Sequence, residues 1–319
     1  MKILITGSTG LLGQALGGHL AALGDVTGVS RRPPASRGGS AHVACDLRDA
    51  GRVAALVSRL QPDAVIHSQA MSDVDQCERD PGLARAMNAK TTANLVRALG
   101  GAPAVLLYVS TDYVFDGEKG QPYNEQDAPR PISVYGQSKL EGEREALRHP
   151  RAVVVRPSTL FGPGRMNFCD AIVRALQEGR TIEAFVDQTT SPTYTEDLAE
   201  MMKELIVVLT QSGPAPTPNS VTGATSQATR LVWGRASRIV HMSNAGGASR
   251  VAFAHRIADL LGRSREAVRP IRMADQRRPA KRPAYSALTS AELVPLTGRM
   301  MRPWDDALHA YLRQRGWLG

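Results

Sequence analysis

Cysteine is scarce in this sequence, which has only three in 319 residues. Cys45, Cys77 and Cys169 are far apart, odd in number and without the spacing of a zinc site. These features argue against a secreted scaffold held by disulfides and favour a reducing compartment. We expect all three to be small buried residues.

Long apolar runs are also missing. No run has the length that a membrane span needs, and the start, MKILITG, has no extended apolar region followed by a cleavage site. We therefore expect a cytoplasmic protein with no membrane partner.

Aromatic residues make up only 5% of the chain, which affects how its basic charge is interpreted. The formal charge is +9, and a cluster of basic side chains lies between residues 263 and 282. Such a cluster invites a nucleic-acid interpretation. Because no aromatics interleave with these arginines, we favour a solvated face with a few arginines directed at a phosphorylated small molecule, and expect no nucleic acid partner.

Apolar strand-like runs alternate with amphipathic stretches along the first half of the chain. The runs lie at residues 2–5, 26–29, 41–44, 64–66, 104–109 and 152–155. This alternation predicts an α/β fold, a Rossmann-type doubly wound parallel sheet with helices on both faces. Ligands bind such sheets at the carboxyl ends of the strands.

The pattern loosens after about residue 160. We predict a Rossmann cofactor domain over 1–160 and a smaller C-terminal substrate-binding lobe over 161–319, with some elements returning to the sheet. Residues 211–238 are rich in Gly, Pro, Ser, Thr and Ala and lack a hydrophobic period. This composition predicts a flexible surface insertion.

The first strand runs directly into a glycine motif, TGSTGLLG. Gly7, Gly10 and Gly13 have the G-x-x-G-x-x-G spacing, in which glycines permit a tight turn and close backbone approach. Free N–H groups at the start of the following helix suit a pyrophosphate. At the first strand-to-helix turn, this motif predicts a dinucleotide site.

The end of the second strand indicates which dinucleotide binds. Ser30 precedes Arg31 and Arg32, where an NAD-preferring site usually has an acidic residue for the ribose diol. Arginines can pair with a 2′-phosphate, so we predict NADPH in preference to NADH. Asp46 and Leu47 follow the third strand, either as adenine contacts or as a capping aspartate and a core leucine.

The segment YGQSK places Tyr135 and Lys139 one helical turn apart. A nearby cation favours the phenolate and lowers the pKa of a tyrosine. The pair is therefore a candidate general acid with its tuning group, although the same spacing also occurs on ordinary helix surfaces.

Five blocks carry a resemblance to a known family. They are STDYVFDG at 110–117, SVYGQSKLEGE at 133–143, VVRPSTLFGPG at 154–164, DQTTSPTYTEDLA at 187–199 and RPAYSAL at 282–288. Together with the glycine motif, they resemble the extended short-chain dehydrogenase/reductase family, most closely its dTDP-4-dehydrorhamnose reductase group.

The resemblance implies hydride transfer from NADPH to the C4 ketone of a nucleotide-linked 4-keto-6-deoxy sugar, a step of deoxysugar biosynthesis. It implies that Thr111 hydrogen-bonds the carbonyl, Tyr135 protonates the developing alkoxide, and Lys139 holds the nicotinamide ribose and lowers the tyrosine pKa. These roles also make chemical sense, because charge develops on one oxygen that needs donors already in place.

The resemblance and the glycine motif together give the other predicted site residues. Predicted cofactor contacts are Gly7, Thr9, Gly10, Leu11, Leu12, Gly13, Ser30, Arg31, Arg32, Asp46, Leu47, Ser68, Gln69, Ala70, Asn88, Ser110, Tyr135, Lys139 and Pro157. Predicted substrate contacts are Ser72, Val74, Thr111, Asp112, Tyr113, Asn167 and Arg282. For Val74 the alternative to a substrate contact is a core position, and for Asp112 it is turn capping. Arg282 suits a diphosphate.

Residues 67–81, HSQAMSDVDQCERDP, depart from the family pattern near the expected sugar. The substrate and its stereochemistry therefore stay open, with another nucleotide-sugar ketoreductase or an epimerase as the alternative. A non-catalytic alternative is an NADP-binding regulatory subunit similar to the methionine adenosyltransferase beta subunit. No dedicated metal site is predicted, and both Mg²⁺ and a homodimer stay open.

Overall fold

The computed structural model describes residues 1–32, 41–212 and 238–318. Its strands are β1 Lys2–Thr6, β2 Asp25–Ser30, β3 Ala41–Ala44, β4 Ala64–His67, β5 Val105–Val109, β6 Ala152–Arg156, β7 Leu160–Phe161, β8 Ile182–Phe185, β9 Thr189–Thr190, β10 Thr193–Tyr194, β11 Ile239–His241, β12 Ala248–Ser249 and β13 Val268–Ile271.

The α-helices in the same residues connect these strands. They are α1 Leu11–Leu20, α2 Ala50–Leu60, α3 Val74–Arg79, α4 Pro81–Arg85, α5 Thr91–Leu99, α6 Val134–Ala146, α7 Phe168–Gln177, α8 Thr195–Gln211, α9 Arg250–Leu260, α10 Leu293–Thr297 and α11 Trp304–Gln314. A π-helical turn, Ala86–Lys90, joins α4 to α5.

The central sheet has seven strands in the order β11-β6-β5-β4-β1-β2-β3, and all of its neighbouring pairs are parallel. The chain builds outward from β1 to β3, then crosses back to β4 on the other side of β1. Strand ends on either side of such a switch leave a crevice at their carboxyl edge. The predicted Rossmann-type sheet is therefore confirmed, and its ligand crevice lies beyond β1 and β4.

Two hydrophobic layers cover the faces of this sheet. Ile3 and Ile5 pack in one layer with side chains of α1 and α8, and Leu4 packs in the other with those of α2 and α5. Strand residues alternate between the two faces, so both must be apolar in a sheet covered on both sides. Burial of each such side chain contributes about 2 kcal/mol.

The elements after residue 160 serve two purposes. Strand β11 extends the sheet beside β6, and α8 packs against α1. Short strand pairs such as β8 with β13, together with α7, α9 and α11, form a smaller lobe around Phe161, Phe253 and Tyr311. A division at residue 160 stays a prediction, because the later elements contribute to both parts.

The predicted insertion at 211–238 lies almost entirely outside the described residues. Helix α8 runs to Gln211, and Arg238 directly precedes β11. Arg238 donates to the carbonyls of Leu147, His149 and Pro150, which fixes the entry to the last sheet strand.

All three cysteines are buried, as the sequence predicted. Within the described ranges, no helix combines the length and apolar character needed to cross a membrane. The same ranges contain no group of three or more His, Cys, Asp or Glu side chains arranged to hold a metal ion.

Candidate active site

A cavity of about 1150 Å³ opens at the carboxyl ends of the central strands. Residues that follow β1, β2, β4, β5 and β6 all contribute to its walls. The predicted residues that line it are Gly7, Thr9, Gly10, Leu11, Leu12, Gly13, Ser30, Arg31, Arg32, Ser68, Gln69, Ala70, Ser72, Val74, Ser110, Thr111, Asp112, Tyr113, Tyr135, Lys139 and Pro157. The fold therefore brings most of the predicted site residues to one cavity.

The glycine turn is tight for reasons within the chain itself. Gly7 has a φ of +71°, and a Cβ there would lie 2.8 Å from the backbone of Gln69. A Cβ at Gly13 would overlap the carbonyl oxygen of Gly7, so α1 packs directly on the turn. No described side chain caps α1 at Gly10, and the N–H groups of such an uncapped first turn suit an anion.

The end of β2 forms the far wall of the cavity. Arg31 and Arg32 are exposed there, while Ser30 donates from its hydroxyl to the Arg32 carbonyl at 2.5 Å. A smaller adjoining cavity is lined by Asp46 and Leu47. The Asp46 carboxylate pairs with Arg48, and the hydrogen bonds from Arg48 lower the pKa of Asp46 to about 2.

Thr111 follows β5 and lies at the inner end of the cavity. Its Oγ1 accepts from the Tyr113 N–H at 3.2 Å and donates to Asp112 Oδ1 at 3.1 Å. The hydroxyl thus caps the single 3-10 turn Asp112–Val114 and is held in one orientation. The hydroxyl that caps this turn is therefore also the candidate catalytic group.

Tyr135 lies on the first turn of α6, where Ser133 caps the helix. Burial raises the pKa of Tyr135, and a hydrogen bond with Thr111 opposes that rise. The expected lowering by Lys139 is therefore wrong for this structure, because desolvation of the phenol dominates. A raised pKa keeps the phenol protonated at neutral pH, which is the form that can donate a proton to a ketone.

Lys139 is almost completely buried. Its Nζ donates to the Val109 carbonyl at 2.6 Å and lies 4.2 Å from the centre of the Tyr108 ring. Burial lowers the pKa of Lys139 to about 7, while the nearby Glu143 carboxylate acts in the opposite direction. The charge of this lysine therefore depends on the balance between its burial and the Glu143 carboxylate.

Asp112 is buried beside these groups. Its carboxylate accepts hydrogen bonds from Ser286 at 2.6 Å, Ser158 at 3.0 Å and Thr111. Burial raises the pKa of Asp112, and these three donors oppose the rise. The geometry is that of a residue that positions Thr111 and closes the turn; contact with a sugar hydroxyl stays a prediction.

Three predicted residues line neither the main cavity nor the smaller adjoining one. Asn88 is buried in the π-helical turn, where it bonds the Met71 backbone and donates to Ser138 Oγ at 2.9 Å. Asn167 caps α7 through the N–H groups of residues 169 and 170. Arg282 pairs with Asp75. Each has a structural partner that the sequence motifs did not reveal.

The cavity also has walls that motif reasoning missed. They are Met87, Val109, Ser158, Thr159, Leu160, Arg165 and Met166. Most of these residues follow the carboxyl ends of strands. Because ligands bind such sheets at those ends, the predicted strand ends could have indicated them. No sequence motif indicated Arg250, which lies on α9. Its guanidinium donates to Thr159 Oγ1 at 3.1 Å, and Asp112 and Tyr113 interact with its charge.

Comparisons with known proteins agree with this geometry. The family model described as the RmlD substrate binding domain matches residues 1–316. A dTDP-4-dehydrorhamnose reductase from Streptomyces griseus is 33% identical over 308 residues, which cover 96% of this chain and 91% of that protein. Methionine adenosyltransferase 2 subunit beta from Danio rerio is 37% identical over 215 residues, covering 64% and 63% respectively.

Solved structures give the same result for the fold. The crystal structure of a dTDP-4-dehydrorhamnose reductase from Bacillus anthracis, in complex with NADP, matches with a TM-score of 0.81 at 29% identity. The match covers 98% of this chain and 99% of that chain. The family resemblance of the motif blocks is thereby confirmed. The chain belongs to the RmlD substrate binding domain family of extended short-chain dehydrogenase/reductases.

Proposed function

We propose that this protein is an NADPH-dependent reductase of the C4 ketone of a nucleotide-linked 4-keto-6-deoxy sugar, as dTDP-4-dehydrorhamnose reductases are. The observation that carries the proposal is that Thr111, Tyr135 and Lys139 line the same cavity as the dinucleotide turn. Relatives named as this reductase, which match nearly the whole chain, support it.

The residues present fit a bound dinucleotide phosphate. Gly7, Gly10 and Gly13 line the cavity with backbone alone, next to the uncapped start of α1. Arg31 and Arg32 provide exposed positive charge at the end of β2. These groups would hold the pyrophosphate and the 2′-phosphate of NADPH, and NADH lacks the second.

When bound, NADPH supplies the hydride. Tyr135 donates its phenolic proton to the carbonyl oxygen as negative charge develops there. Thr111 supplies a second hydrogen bond to that oxygen by turning its hydroxyl proton from Asp112 Oδ1 to the substrate, while the Tyr113 N–H continues to hold its oxygen in place. Lys139 bonds the nicotinamide ribose and adds positive charge on the same side of the cavity.

Positive side chains near Tyr113 favour an anionic substrate. Arg250 interacts electrostatically with both Arg278 and Arg282. Its guanidinium is also held by Gln188, which donates to the Tyr113 hydroxyl at 3.1 Å. Arg250 and Arg278 suit the diphosphate of a nucleotide sugar, whereas Arg282 is paired with Asp75.

The test is NADPH oxidation by the purified chain with a dTDP-4-keto-6-deoxy sugar. We expect substrate-dependent turnover with a lower KM for NADPH than for NADH. Turnover only with a different nucleotide-linked ketone would restrict the proposal to another ketoreductase, while the absence of turnover with any nucleotide ketosugar would end it.

The non-catalytic alternative receives less support. The methionine adenosyltransferase beta subunit of Danio rerio matches 64% of this chain, whereas the reductases named from Streptomyces griseus and Mycolicibacterium smegmatis each match 96%. Thr111, Tyr135 and Lys139 are all in place on the cavity wall. NADPH binding without turnover, together with binding to a partner enzyme, would favour the alternative.

A nucleic-acid partner is not favoured by the arginine-rich stretch. Arg265, Arg269 and Arg282 each form an ion pair with a carboxylate of the chain. Their charge is thereby largely neutralised within the fold. The proposed function uses no nucleic acid.

The metal requirement and the oligomeric state complete the proposal. Mg²⁺ stays open, and turnover of the purified chain measured with and without a chelator decides whether it is required. We also expect a homodimer that includes the terminal helix α11, which sedimentation of the purified chain would detect.

A further inference from the structure

A buried ion pair lies behind the reacting groups. Glu143 and Arg156 are 2% and 1% exposed. Arg156 Nε donates to Glu143 Oε1 at 2.8 Å, and Arg156 Nη2 donates to Oε2 at 2.6 Å. Both residues lie behind the cavity wall, and neither has a role in the proposed reaction. Burial of two charges is costly, which raises the question of what the pair does.

The carboxylate connects the elements that carry the site. Glu143 Oε1 also accepts from Ser110 Oγ at 2.5 Å, and Ser110 is the residue directly before Thr111. Val109, which directly precedes Ser110, provides the carbonyl that accepts a hydrogen bond from Lys139 Nζ. Because Lys139 lies one turn before Glu143 on α6, a single carboxylate links the helix of the tyrosine and lysine to the end of β5.

The same carboxylate is the anion that acts on Lys139. Three charged or titratable groups interact with this lysine: Glu143 on α6, Tyr108 on β5 and His67 on β4. Arg156 on β6 pairs with Glu143. His67 does not supply a charge, because burial and Lys139 lower its pKa to about 3. Glu143 is thus the group that opposes the loss of the Lys139 proton on burial.

We propose that Glu143, held by Arg156, is a positioning residue that keeps Lys139 charged and fixes the end of β5 against α6. It contacts neither substrate nor cofactor and acts through Lys139 and Ser110. The inference rests on the proposed function, because it assigns Lys139 to the nicotinamide ribose.

Three variants test this role. Glu143→Gln removes the negative charge with little change in size but leaves Arg156 buried without its partner. The double variant Glu143→Leu with Arg156→Met removes both charges, and such replacements of buried pairs commonly preserve folding. Glu145→Gln is the matched control, because Glu145 lies on the same helix but is partly exposed and pairs with Arg148 beyond the helix end.

The first readout is the Kd for NADPH as a function of pH, followed by NADPH fluorescence. Without Glu143 the ammonium of Lys139 loses its proton at lower pH. We therefore expect NADPH affinity to begin its alkaline decline about one pH unit earlier than in the parent and in Glu145→Gln. At pH 8 the Kd should rise roughly fivefold, and at pH 6 it should stay within about twofold.

The second readout is the pH dependence of kcat/KM for the ketosugar. Its decline at alkaline pH should also begin at a lower pH in Glu143→Gln than in the parent. Because Glu143→Asp keeps the negative charge, its alkaline decline of kcat/KM should lie closer to that of the parent. If the parent binds NADPH but reduces no ketosugar, the proposed function fails while the NADPH profile still tests Glu143.

A folded double variant with the parent's NADPH profile would overturn the proposal. An equal shift in Glu145→Gln would do the same, because a partly exposed carboxylate paired with Arg148 would then act as well as the buried one. If no Glu143 variant folds, the pair is a requirement of folding and the positioning role is wrong.

Discussion

Arg282 forms a two-pronged ion pair with Asp75. The Arg282 Nη1 and Nη2 atoms lie 3.1 and 2.6 Å from Asp75 Oδ1 and Oδ2. The pair joins α3, beside the cavity, to the chain that follows β13 in the smaller lobe. An arginine that the sequence motifs assign to a diphosphate therefore already has a carboxylate partner, which ties the two sides of the cleft together.

Loss of the Asp75 charge should weaken the fold in a pH-dependent way. The hydrogen bond from Arg282 lowers the pKa of Asp75, so the unfolded chain takes up its proton more readily than the folded one. The stabilisation is complete above the unfolded value of about 3.9 and disappears as pH falls through the folded value. For a partly exposed pair it amounts to about 1 kcal/mol or less.

We expect Asp75→Asn to lower Tm at pH 7 and to approach the parent as the pH falls below about 4. Thermal melting across this range measures the difference. The double variant Asp75→Asn with Arg282→Gln is the control, since it leaves no unpaired arginine. A Tm difference that grows towards low pH would contradict the expectation.

Tyr135→Phe should abolish most turnover while leaving the cofactor site intact. The phenol supplies the proton for the alkoxide, and general acids of this kind contribute about 10²–10⁴-fold. We expect kcat to fall by about this factor and the Kd for NADPH to change by less than about twofold, because α6 remains capped by Ser133. Stopped-flow turnover and NADPH fluorescence separate the two effects, and retained turnover would refute the assignment.

Thr111→Val should reduce kcat by about 10²-fold, the usual cost of removing one donor to a developing oxyanion. The matched control is Thr111→Ser, which keeps the hydroxyl that accepts from the Tyr113 N–H. We expect the serine variant to recover most of the lost turnover in the same assay. If both variants behave alike, the methyl group rather than the hydroxyl is what matters.

Replacement of Arg31 and Arg32 together by alanine should remove the preference for NADPH. Charge-assisted hydrogen bonds to a phosphate contribute about 1.5–3 kcal/mol, so KM for NADPH should rise at least about tenfold. The KM for NADH should change little, because it has no 2′-phosphate. Arg59→Ala on the exposed face of α2 is the control, and an equal loss for both cofactors would place the arginines elsewhere.

Local sequence patterns were sufficient for the framework of this protein. The alternation of apolar runs predicts the parallel sheet, since a strand covered on both faces must be apolar on both. The glycine spacing and the Tyr135–Lys139 spacing predict their sites because each depends on residues within one turn of the chain. Thr111 could be found because it follows a buried strand.

Only the tertiary structure decided which residues from distant parts of the chain become partners of the site residues. Arg250 and Gln188 reach Thr159 and Tyr113 from the smaller lobe, and Arg282 pairs with Asp75. The sequence also predicted a lowered pKa for Tyr135, whereas burial raises it. Burial and long-range pairing depend on which strands become neighbours, and that order is set by packing of the whole sheet rather than by any short segment.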